Sequence, residues 1–193
     1  MSENRLQVAV IIGSTREGRV GPTVANWFVQ QAGQRDDMAI DVIDLAETPV
    51  PAVLHSPAPE TGELLAAVTP RLEAADAFVV VTPEYNKSFP GGLKNLIDWH
   101  FTQWTAKPVG FVSYGGMSGG LRAVEQLRLV FGEMHATTIR DTVSFHGIWD
   151  LFGPDGLPKD PTGCDAAAKT MLDQLAWWAH ALRNAKAVRA FGA

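Results

Sequence analysis

Ala77-Phe78-Val79-Val80-Val81-Thr82-Pro83-Glu84-Tyr85-Asn86-Lys87-Ser88-Phe89-Pro90-Gly91-Gly92-Leu93-Lys94-Asn95-Leu96-Ile97-Asp98-Trp99 is the stretch that orients the rest of the chain. Its first five residues form an unbroken apolar run, the pattern of a strand buried on both faces of a parallel sheet. A polar, aromatic, glycine-containing loop follows, and then apolar residues return at helical spacing. A buried strand, a loop and a helix in that order make one unit of an α/β protein. In open sheets of that kind, ligands bind in the crevice outside the carboxyl ends of the strands. The loop after Val81 is therefore a candidate binding rim.

The same alternation extends in both directions. Upstream, Leu6 to Ile12, with its apolar centre Val8–Ile12, predicts a first strand. A helix is expected from Gly21 to about Gly33, with Pro22 suited to its first turn. The alternating segment Ile40–Leu45 predicts a second strand nearer a sheet edge. Residues 46–62 are proline-rich and irregular in pattern, and a helix lies within Glu63–Ala75, where Thr69-Pro70 either kinks it or caps a shorter second piece. Downstream, a third helix is expected over Gly92–Trp104 and a strand over Pro108–Ser113. A fourth helix runs Ser118–Met134, with Leu121, Val124, Leu127 and Phe131 at helical spacing. A last strand falls within Thr137–Phe145, a Gly-, Pro- and Asp-rich loop spans Gly147–Pro161, and a closing helix runs from about Asp165 to Val188. Strict alternation of strands and helices predicts a single domain over 1–193, an α/β three-layer sandwich around a parallel sheet.

Composition narrows the function classes. The chain is 46% hydrophobic and 19% charged, as expected of a soluble globular protein, and its net charge of −5 leaves no footprint for nucleic acid. A single cysteine, Cys164, excludes an intrachain disulfide and suits a reducing compartment. The first apolar run is too short to span a membrane and has no cleavage pattern after a basic start, so a cytoplasmic location is expected. The histidines (His55, His100, His135, His146 and His180) are scattered without metal-ligand spacing, and no metal site is expected.

The loop after the first strand is Gly13-Ser14-Thr15-Arg16-Glu17-Gly18-Arg19-Val20-Gly21-Pro22-Thr23. A strand-to-helix turn offers free backbone N–H groups and the positive end of a helix dipole to an anion. Ser14 and Thr15 add hydroxyl donors, and Arg16 and Arg19 add forks suited to phosphate oxygens. A polar turn with two solvated arginines is the plainer alternative. A nucleotide-hydrolysing phosphate loop is poorly supported, because Arg19-Val20 stands where that motif needs Lys followed by a hydroxyl. The dinucleotide fingerprint G-x-G-x-x-G is absent, although Asp44 ends the second strand where a ribose-binding acid would lie. A monophosphate on a longer organic cofactor fits best.

The loop from Pro83 to Asn86 would form one wall of the site, with Tyr85 and Phe89 offering flat apolar surface. Asn86 either hydrogen-bonds the polar edge of a ring or caps the next turn. Glu84 is expected to be an exposed rim carboxylate or a partner-facing salt bridge rather than an acid/base. The fourth strand ends in Ser113-Tyr114-Gly115-Gly116-Met117-Ser118-Gly119-Gly120, where glycines mark a close approach or positive φ, or simply a flexible turn. Phosphate contacts, a planar wall and a glycine turn together describe an FMN site. The tryptophans are expected in core or interface. The predicted third helix is apolar around most of its girth (Leu93, Leu96, Ile97, Trp99, Phe101, Trp104), so one face is expected on the sheet and the other against a second subunit.

These motifs resemble those of the NADPH-dependent FMN reductase family of flavodoxin-like proteins. Gly13-Ser14-Thr15-Arg16 matches the family's G-S-x-R, and Pro83 to Trp99 matches its P-E-Y-N-x-S-x-P-G-x-L-K-N-x-[IL]-D-W. Gly120-Leu121-Arg122-Ala123-Val124-Glu125-Gln126-Leu127-Arg128 matches G-x-R-A-x-x-Q-L-R. The resemblance covers about residues 6–146. It implies a flavodoxin-like five-stranded sheet of order 2-1-3-4-5 and non-covalent FMN. Ser14, Arg16 and Arg19 to Gly21 (Arg19, Val20, Gly21) would hold its phosphate. Pro83, Glu84, Tyr85 and Asn86, with Ser113, Tyr114, Gly115 and Gly116, would line its ring. It also implies a homodimer or homotetramer built through the helix around Leu93–Trp104. The expected activity passes hydride from NADPH or NADH to the flavin, then reduces a quinone, free flavin or other small acceptor by a ping-pong scheme, with no catalytic acid or base. A flavodoxin-like electron carrier and a redox-switched flavoprotein binding partner are the alternatives.

Overall fold

The computed structural model describes residues 5–54 and 59–192. His55, part of the expected irregular stretch and the start of the amino terminus lie outside the described residues. The strands β1 (Leu6–Ile12), β2 (Met38–Asp44), β3 (Ala77–Pro83), β4 (Pro108–Gly115) and β5 (Thr137–His146) form a parallel sheet of order β2-β1-β3-β4-β5. The helices are α1 (Gly21–Ala32), α2 (Pro59–Ala74), α3 (Gly91–Trp99), α4 (Leu121–Glu133) and α5 (Thr162–Val188). This is the expected flavodoxin-like order.

Side-chain alternation on the strands builds two cores. Val8, Val10 and Ile12 of β1, with Val79 and Val81 of β3, pack under α1 and α5 against Trp27, Phe28, Met171 and Leu175. Ala9, Ile11, Phe78, Val80 and Phe111 face the other way, onto Leu72 of α2, Leu93, Leu96 and Ile97 of α3, and Phe131 of α4. Continuous apolar runs arise because each strand must satisfy both layers.

Two boundaries differ most from expectation. Helix α2 begins at Pro59, four residues before Glu63, and runs through Pro70 to Ala74. Proline's fixed φ suits the first turn of a helix, so the proline-rich segment supplies a start as well as an irregular connection. Helix α3 stops at Trp99, with His100 in extended backbone. Trp104 therefore lies beyond the helix, yet it is fully buried, its ring tilted against Phe78 and edge-to-face with Phe131. Its Nε1 donates to Ile97 O at 3.3 Å, and His100 Nδ1 lies 2.8 Å from Leu96 O. Side chains thus occupy the carbonyls that a longer helix would have used. Leu93, Leu96, Ile97 and Trp104 are consumed by the core of the chain itself, and Phe101 is the large apolar member of the set left exposed.

Arginines sit along both edges of the sheet. On β2, Arg5 donates to Met38 O at 2.5 Å and Arg71 to Val42 O at 2.6 Å. On β5, Arg128 donates to Ile139 O at 2.6 Å and to Arg140 O at 2.9 Å, where the pairing register shifts. No helix among the described residues is long and apolar enough to cross a membrane.

Candidate active site

A cavity of about 240 Å³ opens at the carboxyl end of the sheet, lined from the ends of four strands that are neighbours in it. Arg16 to Val20 come from the loop after β1, Pro83 to Tyr85 from the end of β3, Tyr114 to Gly116 from the end of β4, and Ile148 with Trp149 from the connection after β5. The strand order makes β1 and β3 neighbours at the point where the chain reverses its direction across the sheet, and the crevice lies there.

Its floor holds two buried hydroxyls. Ser14 Oγ and Tyr114 Oη are shielded from solvent and have no hydrogen-bond partner among the described residues. Both converge on the first residue of α1: a Cβ added to Gly21 would lie 2.3 Å from Ser14 Oγ and 3.0 Å from Tyr114 Oη. Glycine at this position leaves the space into which both hydroxyls point. Burial pushes the Tyr114 phenol up to about 12, with the positive charges of Arg19 and Arg16 offsetting part of that rise, so it stays a donor at neutral pH. Helix α1 starts beside this floor with no side-chain cap on its first amides. Unmet donors at a helix amino terminus favour an anion.

The arginines divide. Arg16 is exposed and lies over the Tyr85 ring, 4.9 Å from its centroid. Arg19 makes a two-pronged ion pair with Asp44 at the end of β2, at 2.5 and 2.7 Å, and also donates to Ser14 O at 2.9 Å. Hydrogen bonding to Asp44 raises its pKa further despite its burial. Its fork thus clasps the loop to β2, and Asp44, at the position a ribose-binding acid would occupy, is engaged by Arg19.

The planar wall is built as a tight hairpin. Tyr85 and Ser88 exchange both backbone hydrogen bonds, at 2.8 and 2.9 Å, and the two residues between them, Asn86 and Lys87, have φ of 50° and 67°. Two consecutive positive φ values define a type I′ turn, a conformation in which Asn is well tolerated. Asn86 is exposed at this tip and off the cavity wall. The turn is clamped from α4: Gln126 Nε2 donates to Lys87 O and Ser88 Oγ donates to Gln126 Oε1, both at 2.6 Å.

Glu84 corrects an expectation. Its side chain is only 6% exposed, so it is no exposed rim carboxylate. Arg122 of α4 pairs with it, and Ser118 Oγ donates to it at 2.6 Å. Burial pushes its carboxyl up, but the Ser118 and Arg122 hydrogen bonds outweigh this and leave it below the usual carboxylate range. It is a charged anchor within the chain. Arg122 and Gln126, one helical turn apart, thus explain why α4 carries them: both hold the loop after β3.

The glycine turn is also tied down. Gly120 has φ of 85°, and a Cβ there would lie 2.9 Å from Tyr114 N, so only glycine fits. The Gly119 carbonyl accepts from Ser113 Oγ at 2.8 Å and from Ser144 Oγ at 2.9 Å. Ser113 is therefore spent on the turn and does not reach the cavity. Thr15 is likewise off the wall, its methyl near the start of α3. Of the expected residues, Arg16, Arg19, Val20, Pro83, Glu84, Tyr85, Tyr114, Gly115 and Gly116 line the cavity, and Ser14 and Gly21 lie beneath it. Gly18, Glu17, Ile148 and Trp149 line it as well; Trp149 stands alone in an irregular segment with no motif around it.

A family model for NADPH-dependent FMN reductase matches residues 6–150. An NAD(P)H-dependent FMN reductase of Schizosaccharomyces pombe is 34% identical over 132 residues, 65% of this chain and 66% of that protein. A quinone reductase of Escherichia coli is 35% identical over 137 residues, 67% of this chain and 71% of that one. The chain spans about two thirds of the length of the fungal relatives it matches. Among solved structures, the flavoenzyme NAD(P)H:(acceptor) oxidoreductase FerB of Paracoccus denitrificans superposes with a TM-score of 0.71 over 90% of this chain and 97% of that one, at 22% identity, a likeness of fold. The matched span takes in every strand of the sheet and every loop that lines the cavity, and the chain belongs to the NADPH-dependent FMN reductase family.

Proposed function

We propose that this protein is an FMN-dependent oxidoreductase that takes reducing equivalents from NADPH or NADH and passes them to a quinone, free flavin or other small acceptor. The observation that carries this reading is the pair of buried, unpartnered hydroxyls of Ser14 and Tyr114 beneath Gly21, at the uncapped start of α1. Buried polar groups without partners are rare, and a ligand that supplies acceptor atoms resolves both. FMN held non-covalently in the cavity would supply the hydride chemistry between nicotinamide and acceptor.

The chain's own residues then have distinct tasks. Ser14, Arg16, the loop backbone and the first amides of α1 meet the phosphate. Arg19, held by Asp44, keeps that loop closed and adds positive charge nearby. Pro83 to Tyr85 and Tyr114 to Gly116 form the walls against the ring, positioned by Glu84–Arg122 and by Gln126. Glu84, ionised and paired, moves no proton. One mouth must serve the nicotinamide and the acceptor in turn, which predicts ping-pong kinetics. A homodimer or homotetramer using the surface around α3 and Phe101, and a cytoplasmic location, belong to the same reading.

The test is the visible spectrum of the purified protein, before and after incubation with FMN, followed by anaerobic NADPH. Flavin bands that bleach on NADPH addition, with parallel initial-rate lines for a quinone, are expected. A protein that takes up no FMN would overturn the assignment.

A further inference from the structure

Trp149 belongs to no motif and is placed where the cavity meets solvent. It sits in a single 3-10 turn, Ile148–Asp150, directly after β5. Its neighbours hold it firmly. Ile148 is buried in the core under α1 and α5, where Leu151 and Phe152 also pack. Gly147, with φ of 65°, turns the chain and donates its N–H to Gly116 O at 2.9 Å. Beyond it, Gly153 N to Leu157 O and Lys159 N to Leu151 O, each 2.8 Å, close the 147–161 segment on itself. On this fixed platform the indole is 75% exposed, yet it lines the cavity and its edge rests over Gly116, where a Cβ would lie 3.3 Å from the ring.

A large aromatic side chain kept in water by an ordered backbone loses apolar burial that its neighbours Ile148 and Phe152 obtain. Its ring edge contacts the glycine wall, while most of its surface stays open at the mouth. A flat molecule that enters from solvent through this mouth would meet the open face of the ring and cover it. We infer that Trp149 is a specificity-determining wall that stacks on the planar ring of the exchanging substrate, nicotinamide or quinone. The inference rests on the flavin reading above.

The experiment compares wild-type protein with W149F, W149L and W149A, each checked for folding by circular dichroism. Affinity for FMN is measured by equilibrium dialysis, affinity for NADP⁺ likewise on the flavin-loaded protein, and KM for a benzoquinone and for ferricyanide by initial rates. An offset-stacked ring contact makes W149L and W149A bind NADP⁺ and benzoquinone about tenfold more weakly, while W149F stays within about threefold of wild type. FMN affinity and the KM for ferricyanide, which has no ring to stack, stay unchanged in all three. W149L keeps apolar bulk without a flat face, so it separates stacking from filling and serves if W149A does not fold. Unchanged NADP⁺ and benzoquinone binding in W149L would overturn the inference, as would an equal loss for ferricyanide. A loss of FMN affinity by the same factor would overturn it too, making Trp149 a cofactor contact. Failure of wild type to bind FMN removes the flavin reading itself, and the inference with it.

Discussion

At the amino-terminal end of the sheet, Lys107 is buried but gives its ammonium to Leu72 O and Glu73 O, at 2.8 and 2.9 Å, at the end of α2. His100, also buried, meets Thr69 Oγ1 at 2.9 Å and Leu96 O at 2.8 Å. At the carboxyl end, Ser14 and Tyr114 are as deeply enclosed, and their hydroxyls have no hydrogen-bond partner among the described residues. One end is chemically complete in the folded chain. The other carries an unmet hydrogen-bonding demand of the kind that costs about 1–3 kcal/mol per group unless a ligand meets it. Stability and binding are therefore expected to separate along the strand direction.

The largest expected effect lies at the completed end. Trp104→Ala removes a fully buried indole and should lower unfolding free energy by about 3–5 kcal/mol in urea titrations. The folded fraction should bind FMN as wild type does; a matching loss of FMN affinity would break the separation. Arg122→Ala leaves the Glu84 carboxylate enclosed without its guanidinium, and because Arg122 is half exposed the cost is about 1–2 kcal/mol. The folded Glu84 pKa lies below its unfolded value, so this contribution is present above the unfolded pKa and disappears as pH falls through the folded one. The gap between wild type and variant should close on acidification, which urea curves at several pH values would check.

Ser14→Ala sharpens the contrast because its two effects have opposite signs. Removing an unpaired buried hydroxyl should raise the stability of the flavin-free protein by about 1 kcal/mol or less, while FMN affinity falls about tenfold. A destabilised, fully binding variant would show that Ser14 has an unrecognised partner within the chain. The effect that is smallest at neutral pH is a pH slope. Burial lowers the Lys107 pKa from 10.5 to about 8, so between those values the unfolded chain binds more protons and stability rises with pH. Lys107→Met should flatten that slope in thermal melts taken across the same window.

Much of this architecture is legible in the residues. Val79-Val80-Val81 could only be a strand covered twice, and the loops after it announced their place by position. Ser14 and Gly21 stand out in the first loop of the sequence, whereas Tyr114, whose hydroxyl meets them beneath the cavity, is marked only by its glycine-rich neighbourhood. What escaped reading depends on contacts far apart in the chain. Arg19 looks like a phosphate fork until Asp44, on another strand, is brought to it. Ser113 looks like a site hydroxyl until Gly119 turns back over it. The end of α3 was hidden because apolar spacing continues to Trp104, and only folding shows that His100 and Trp104 take the terminal carbonyls. Trp149 carried no signal, since its meaning lies in the cavity it borders.

The arginines along β2 and β5 have a consequence for how copies of this chain can meet. A bare edge strand is a template for an incoming strand, and parallel sheets expose two of them. Here the carbonyls of Met38, Val42, Ile139 and Arg140 are already occupied by guanidinium groups. Gln174 further takes the Asp141 amide at 3.0 Å. Extension of the sheet into a neighbouring molecule would have to evict these charges first. Charged groups thus stand where a neighbouring strand would dock, and both sheet edges resist extension.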